Sequence, residues 1–326
     1  MYLLVYLFPF FLLLPAYFFK ASFLIRFFIL ASALYAFLLL AYRVGVGWDY
    51  YSYYNSYVSG VVYSEPLSGV VFKVSYFIGD VRSLYVIFAL IAIVPPAFVA
   101  INEKAPRILF IYLAIPVFFI ESFSLMRQAS AISVMILSFY YMKERRSILG
   151  FFWGGVSLLF HYSGFVFFVF FIFLRLFGNI EWKTIIVILF IVSCMFIGAL
   201  YDQVSIYFEK IKFYTGDGDY GYKMLIFMAV YCVGLFPFLG REGRWVLLSG
   251  VFLYIAATKL DPVFVRLSYF FFIPACFVCV KLKVNENIKF GVSETYFIVG
   301  FLLALYVKSQ QIKSGFFPYH GEILWM

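Results

Sequence analysis

The sequence predicts an all-α, polytopic integral membrane protein with about twelve transmembrane helices, and three observations predict it. Of 326 residues, 65% are hydrophobic and 24% aromatic, while only 13% are charged. Soluble domains carry about 25% charged and 45–50% apolar residues, so a soluble fold of this length has no means of hiding so much apolar surface. The apolar residues also form continuous runs rather than an alternating pattern, which favours helices over a barrel. Finally, the charges fall mostly in short loops between those runs, as expected when the bilayer is the solvent and backbone groups must pair within each span.

The candidate spans follow in order, with soft boundaries: 2–19, 22–42, 83–101, 107–120, 128–142, 147–160, 163–177, 183–201, 223–239, 244–258, 265–281 and 294–307. No Lys or Arg precedes the first run and no small-residue cleavage site follows it, so it reads as a first helix rather than a removed signal. Several runs are shorter than the ~20 residues of a perpendicular span. Leu67 to Gly79 is shorter still and contains Lys73, which fits an interfacial or re-entrant helix better than a span. No loop is long enough for a soluble domain, so residues 1–326 read as a single transmembrane domain, with 43–82 and 202–222 as its main extramembrane segments. With the N-terminus outside, slightly more than half of the 25 basic residues fall in cytoplasmic loops, among them the clusters KERR at 143–146 and REGR at 241–244. Those clusters are topology signals, and the net charge of +9 points to no nucleic-acid partner. Cys276 and Cys279 have C-x-x-C spacing, but they lie in an apolar run with no histidine cluster and read as small core residues.

The chemistry-bearing residues gather in the loops assigned to the outer face. The densest stretch is RVGVGWDYYSYYNSY at 43–57. Arg43 lies where the second helix leaves the lipid, and Gly45 and Gly47 permit a sharp turn before Asp49. Tyr50, Tyr53, Tyr54 and Tyr57 then follow at helical spacing and would form one aromatic stripe. Such a stripe suits either an interfacial aromatic belt or stacking on sugar rings. Next, ESFSLMRQ at 121–128 brings Glu121 and Arg127 to the outer ends of two short helices. An arginine there either snorkels to headgroups or offers its planar fork to a phosphate. FHYSG at 160–164 is a tight turn carrying His161, one of two histidines, which is an ordinary polar loop residue or a general base. YTGDGDYGYK at 214–223 lacks the further ligands of a calcium loop and leaves Lys223 as a pairing cation. TKLDPVFVRLSYFF at 258–271 supplies Arg266, and the aromatic tail FFPYHGE at 316–322 supplies Tyr319. Neither a phosphate-binding loop, nor G-x-G-x-x-G, nor G-x-S-x-G occurs, so an ATP-driven pump or serine hydrolase has no support. No metal-ligand cluster and no cofactor motif appears. A reaction run by this chain would use an already activated substrate.

These stretches, in this order, resemble the EpsG family, related in role to the Wzy-type O-antigen polymerases. The matching residues are R-x-G-x-G-x-D-Y-Y-x-Y-Y at 43–54, E-P-L-S-G at 65–69, R-Q at 127–128, F-H-Y-S-G at 160–164, R-L-S-Y-F at 266–270 and F-P-Y at 317–319. Each motif is short; their order and shared face carry the likeness, and 200–222 matches only in its aromatic tone. The resemblance implies a membrane glycosyltransferase that polymerises oligosaccharide repeat units on undecaprenyl pyrophosphate, without metal or cofactor. Its site would be on the outer, periplasmic face of a bacterial cytoplasmic (inner) membrane, with lipid-linked oligosaccharide as both donor and acceptor. Membrane lipids, a flippase and a chain-length regulator are the further partners it implies. In that scheme Arg43, Arg127, Arg266 and Lys223 hold the pyrophosphate. Tyr50, Tyr53, Tyr54, Tyr57, Glu121 and Tyr319 orient sugars, and Asp49 or His161 is the base. A ligase using a different acceptor, or a flippase for the lipid-linked glycan, are the alternative functions; few charges lie deep in the apolar runs, which disfavours a transport path.

Overall fold

The computed structural model describes residues 2–47, 49–61, 63–115, 117–176, 241–260, 266–280, 298–299 and 301–302. Every regular element among them is helical. The chain divides into two compact units, one of residues 1–162 with 279–326, the other of residues 163–278.

In the first unit, α1 (Tyr2–Leu13) runs into a short 3-10 turn at Leu14–Tyr17 and is followed by α2 (Ser22–Ala41). α3 (Tyr50–Val58) and α4 (Pro66–Ile78) occupy the long connection to α5 (Val81–Asn102). α6 (Pro106–Ala114), a 3-10 turn at Glu121–Phe123, α7 (Met126–Lys143) and α8 (Ser147–Phe160) complete it. The second unit holds α9 (Gly164–Leu176), α10 (Arg241–Leu260) and all but the last two residues of a 3-10 helix at Tyr269–Val280. There Phe271 packs edge-on to Phe167 at 5.2 Å and lies against Gly250 of α10. The expected spans 183–201 and 223–239 lie outside the described residues.

Among the described residues, two helices, α2 and α5, are long and apolar enough to cross a membrane. Their surroundings differ. On α2, Phe23, Phe27, Leu30, Leu34 and Leu38 form an exposed stripe, while Ile29, Ser32, Ala33, Ala36 and Leu40 are buried. Ser32, Ala33 and Ala36 thus face protein beside Ile29 and Leu40, while the exposed stripe is bulky throughout, the arrangement expected of a helix whose outer face meets lipid. α5 is buried on more of its surface and contains Pro95 and Pro96. Proline has no amide hydrogen, so Pro96 cannot bond the carbonyl of Ala92 one turn earlier. That carbonyl is recovered by two neighbours: the Tyr112 hydroxyl donates to it at 2.8 Å and the Ser133 hydroxyl at 2.7 Å. The proline break in α5 is thereby mended by α6 and α7, as apolar surroundings require.

α7 and α8 pack closely against each other. Gly150, Gly154 and Ser157 are the buried face of α8, and a Cβ on Gly150 would run into the Met142 side chain. Ser138 donates to the Gly150 carbonyl and Ser157 to the Ala131 carbonyl, each at 2.7 Å. Small residues four apart let the backbones approach, and serines seal the seam.

Two elements depart from expectation or refine it. The span expected at 107–120 ends at Ala114, with Ile115 extended (φ −72°, ψ 113°). Pro116 follows in the sequence, and the residue before a proline is pushed out of the helical region. Residues 117–120 are turns, all buried, and lead into the 3-10 turn at Glu121–Phe123. A short helix does occupy the Leu67–Gly79 stretch, as α4. It ends on Gly79 in the left-handed region (φ 77°) and leaves Val70, Val74, Phe77 and Ile78 exposed along one side.

Candidate functional site

The stretch that leaves α2 makes the turn its glycines permit. Gly45 and Gly47 have φ of 66° and 100°, both in the region that disfavours side chains. Gly47 lies directly against the backbone of Phe123, and a Cβ there would overlap the Phe123 carbonyl. Arg43 reinforces the same junction from within. It is only 3% exposed, and its Nη1 donates to the Ser122 carbonyl at 3.0 Å. Its guanidinium carbon lies 5.3 Å from the Tyr85 ring centroid and 5.7 Å from that of Phe123. A cavity with room for about one water adjoins it, lined by Leu40, Phe88, Ala92 and Met126 among others. Arg43 thus clamps the turn from which α7 begins.

The α3 tyrosines divide into covered and open rings. Tyr50 stacks on Tyr85 with centroids 4.9 Å apart and planes 12° apart, and its carbonyl accepts from the Tyr85 hydroxyl at 3.1 Å. Tyr57 stacks on Tyr76 of α4 at 4.6 Å and 13°. The Tyr76 hydroxyl returns to the Tyr57 carbonyl at 2.5 Å. Tyr53 is buried and Tyr54 is 40% exposed. Burial pushes the Tyr53 hydroxyl above the usual tyrosine range, opposed by the adjacent charge of Arg127. The four positions share a helix face by spacing, yet Tyr50 and Tyr57 already have ring partners within the protein.

Arg127, in the first turn of α7, is the centre of the arrangement. Its Nη1 donates to both carboxylate oxygens of Glu65, at 2.7 and 2.6 Å. Its guanidinium carbon lies 3.8 Å from the Tyr63 ring centroid and 5.9 Å from that of Tyr53. The cation is therefore held between a carboxylate and an aromatic face, a geometry that strengthens both contacts once water is partly excluded. The Nε of Arg127 is buried with no hydrogen-bond partner. Glu65 itself stands at the N-cap position of α4 and makes no side-chain bond to its own helix. Local preference would place that carboxylate on the α4 amides; the ion pair to α7 takes it instead.

The turn after α8 is stitched to the same region. The Ser68 hydroxyl donates to the Phe160 carbonyl at 2.8 Å, and the Tyr162 hydroxyl donates to the Ser64 carbonyl at 3.0 Å. His161 caps the end of α8 in extended conformation (φ −159°, ψ 124°). Four stretches widely separated in the chain, 43–57, 63–68, 121–128 and 160–162, thus meet at one end of α2, α5, α7 and α8.

Comparison with known families decides the relationship, because the sequence model of the EpsG family matches residues 25–320. The chain belongs to the EpsG family. No curated protein and no solved structure matches it. Membership makes this a membrane protein of polysaccharide biosynthesis, in a family associated with polysaccharide polymerase-like proteins.

The structure brings most of the residues singled out by sequence into one unit. Arg43, Asp49, Tyr50, Tyr53, Tyr54, Tyr57, Glu121, Arg127 and His161 all belong to the first unit. Asp49 is the residue just before α3, and its charge raises the Tyr53 hydroxyl. Glu121 is buried beside Ser122, and its carbonyl accepts from the Leu125 amide at 2.7 Å. Arg266 is in the second unit, just ahead of the 3-10 helix. Lys223 and Tyr319 lie outside the described residues. Sequence reasoning passed over Glu65, Tyr63 and Tyr85. The signal for Glu65 was present in E-P-L-S-G, which matches the family, but a carboxylate before a proline reads as a helix start.

Proposed function

We propose that this protein is a polysaccharide polymerase: a glycosyltransferase joining undecaprenyl-pyrophosphate-linked oligosaccharide repeats at the outer face of the bacterial cytoplasmic membrane. The observation that carries this reading is Arg127, a phosphate-seeking guanidinium at the meeting point of the family's motif stretches, flanked by Glu65, Tyr53 and Tyr63. In the reaction, the hydroxyl oxygen on the non-reducing sugar of the acceptor attacks the anomeric carbon of the donor glycan. The bond from that carbon to the pyrophosphate oxygen breaks, and the lipid pyrophosphate departs with the electron pair. The hydroxyl proton passes to Asp49 or His161. Arg127 holds the charge that grows on the leaving pyrophosphate, where a preorganised donor in a partly dry site acts most strongly. Arg43, enclosed and bonded to the Ser122 carbonyl, serves by fixing the turn that presents Arg127. Tyr54, the most open of the four stripe tyrosines, is the ring best able to meet a sugar.

In vitro extension tests the proposal. Purified protein in nanodiscs receives a matching undecaprenyl-pyrophosphate oligosaccharide, with neither nucleotide nor metal, and the products are resolved on a gel. A ladder spaced by one repeat, lost in Arg127→Ala, is the expected result. Full-length polymer from that variant would remove Arg127 from the site. Absence of any ladder, with vesicles instead moving the lipid-linked unit between leaflets, would make the protein a transporter.

A further inference from the structure

We infer that Glu65 is a displaceable counter-ion that reserves Arg127 for a pyrophosphate and turns away singly charged phosphodiesters. The inference rests on the reading of Arg127 as the pyrophosphate site. An arginine placed to meet lipid-linked pyrophosphate also meets a large excess of phospholipid headgroups, each with one phosphodiester charge. A guanidinium binds phosphate oxygens readily, so an unguarded Arg127 would be occupied by ordinary lipid. Glu65 opposes this because its carboxylate already neutralises the guanidinium at 2.6 and 2.7 Å, and an incoming anion competes with that charge. A phosphodiester brings the same single charge as the carboxylate and gains little from the exchange. A pyrophosphate diester brings about two charges and more acceptor oxygens, so the exchange favours it.

Two features of the geometry make the carboxylate displaceable rather than fixed. First, one nitrogen, Nη1, serves both of its oxygens, while Nε stays without a partner. The pair does not use the two-nitrogen fork that gives arginine its strongest contacts, so an anion that engages the fork has an advantage Glu65 lacks. Second, the released carboxylate has a place to go. Glu65 precedes α4 with an extended backbone (φ −70°, ψ 123°), Pro66 occupies the first turn, and no side chain caps that end. A side chain at the N-cap position can turn to the amides two and three residues on, here Leu67 and Ser68, and the positive end of a 13-residue helix favours a negative charge there. Glu65 therefore has two stations, Arg127 when the site is empty and the start of α4 when a pyrophosphate is bound.

The test measures binding rather than polymerisation. Full-length protein in detergent is titrated with farnesyl pyrophosphate and with farnesyl methyl phosphate, a phosphodiester with the same lipid chain. The wild type is expected to prefer the pyrophosphate strongly. Glu65→Gln is expected to bind the phosphodiester about tenfold more tightly, narrowing the preference by a similar factor. Glu65→Asp keeps the charge but withdraws it by one methylene, and is expected to fall between the two. An unchanged preference ratio in folded Glu65→Gln overturns the inference. Should that variant not fold, a ratio in Glu65→Asp equal to the wild type's overturns it. Extension ladders are scored separately: discrimination without a ladder removes the polymerase reading and leaves the counter-ion role standing.

Discussion

Gly47 lies against the backbone of Phe123 so closely that no side chain fits between them. The contact joins the turn after α2 to the turn before α7, and with it the two stretches that carry Arg43 and Arg127. Replacing Gly47 by alanine meets two penalties, a left-handed φ of 100° and an overlap with the Phe123 carbonyl. The expected loss is about 2–4 kcal/mol of stability. Thermal unfolding of Gly47→Ala in detergent checks it, and a melting point equal to wild type would show that the turn yields easily.

Arg43 and Arg127 should respond differently to substitution. Arg43 is enclosed, bonded to Ser122 and set over two rings. Lysine cannot reproduce its planar fork, so Arg43→Lys is expected to lower stability by about 2 kcal/mol. Arg127→Ala is expected to leave the fold in place while abolishing pyrophosphate binding. Melting curves and farnesyl pyrophosphate titrations on both variants separate the roles; equal destabilisation by the two would merge them.

The Ala92 carbonyl has two donors, so removing one leaves it satisfied. Tyr112→Phe and Ser133→Ala are each expected to cost about 0.6 kcal/mol, the average for such bonds between membrane helices. The double variant is expected to cost clearly more than their sum, because the carbonyl is then left without a side-chain donor in apolar surroundings. A double-mutant cycle on unfolding free energies reads the difference, and strict additivity would mean that water or a lipid group reaches Ala92.

Much of the helical skeleton was legible in the sequence, and the misses have physical causes. α2, α5 and α8 follow their apolar runs closely, since in a membrane protein length and hydropathy determine a span directly. The run at 107–120 was overread because hydropathy carries on past Pro116 while the backbone does not. The site was legible in its arginines but not in their environments. The sequence offers Arg43 as a cation where α2 leaves the lipid and as a pyrophosphate ligand, whereas long-range packing from Tyr85 and Phe123 encloses it. Glu65 and Arg127 are 62 residues apart, and no local pattern links them. The tyrosine spacing in α3 was read correctly as a helix face. What it lacked was any sign of Tyr85 and Tyr76, which stack on two of its rings.

The mended proline break in α5 also bears on how the chain is made. Tyr112 and Ser133 follow Ala92 by 20 and 41 residues, so α5 leaves the ribosome before either donor. An unsatisfied carbonyl in hydrocarbon costs several kcal/mol, which discourages α5 from moving into lipid alone. That cost gives α5 reason to stay with the insertion machinery until α6, and then α7, has been synthesised and can pack against it.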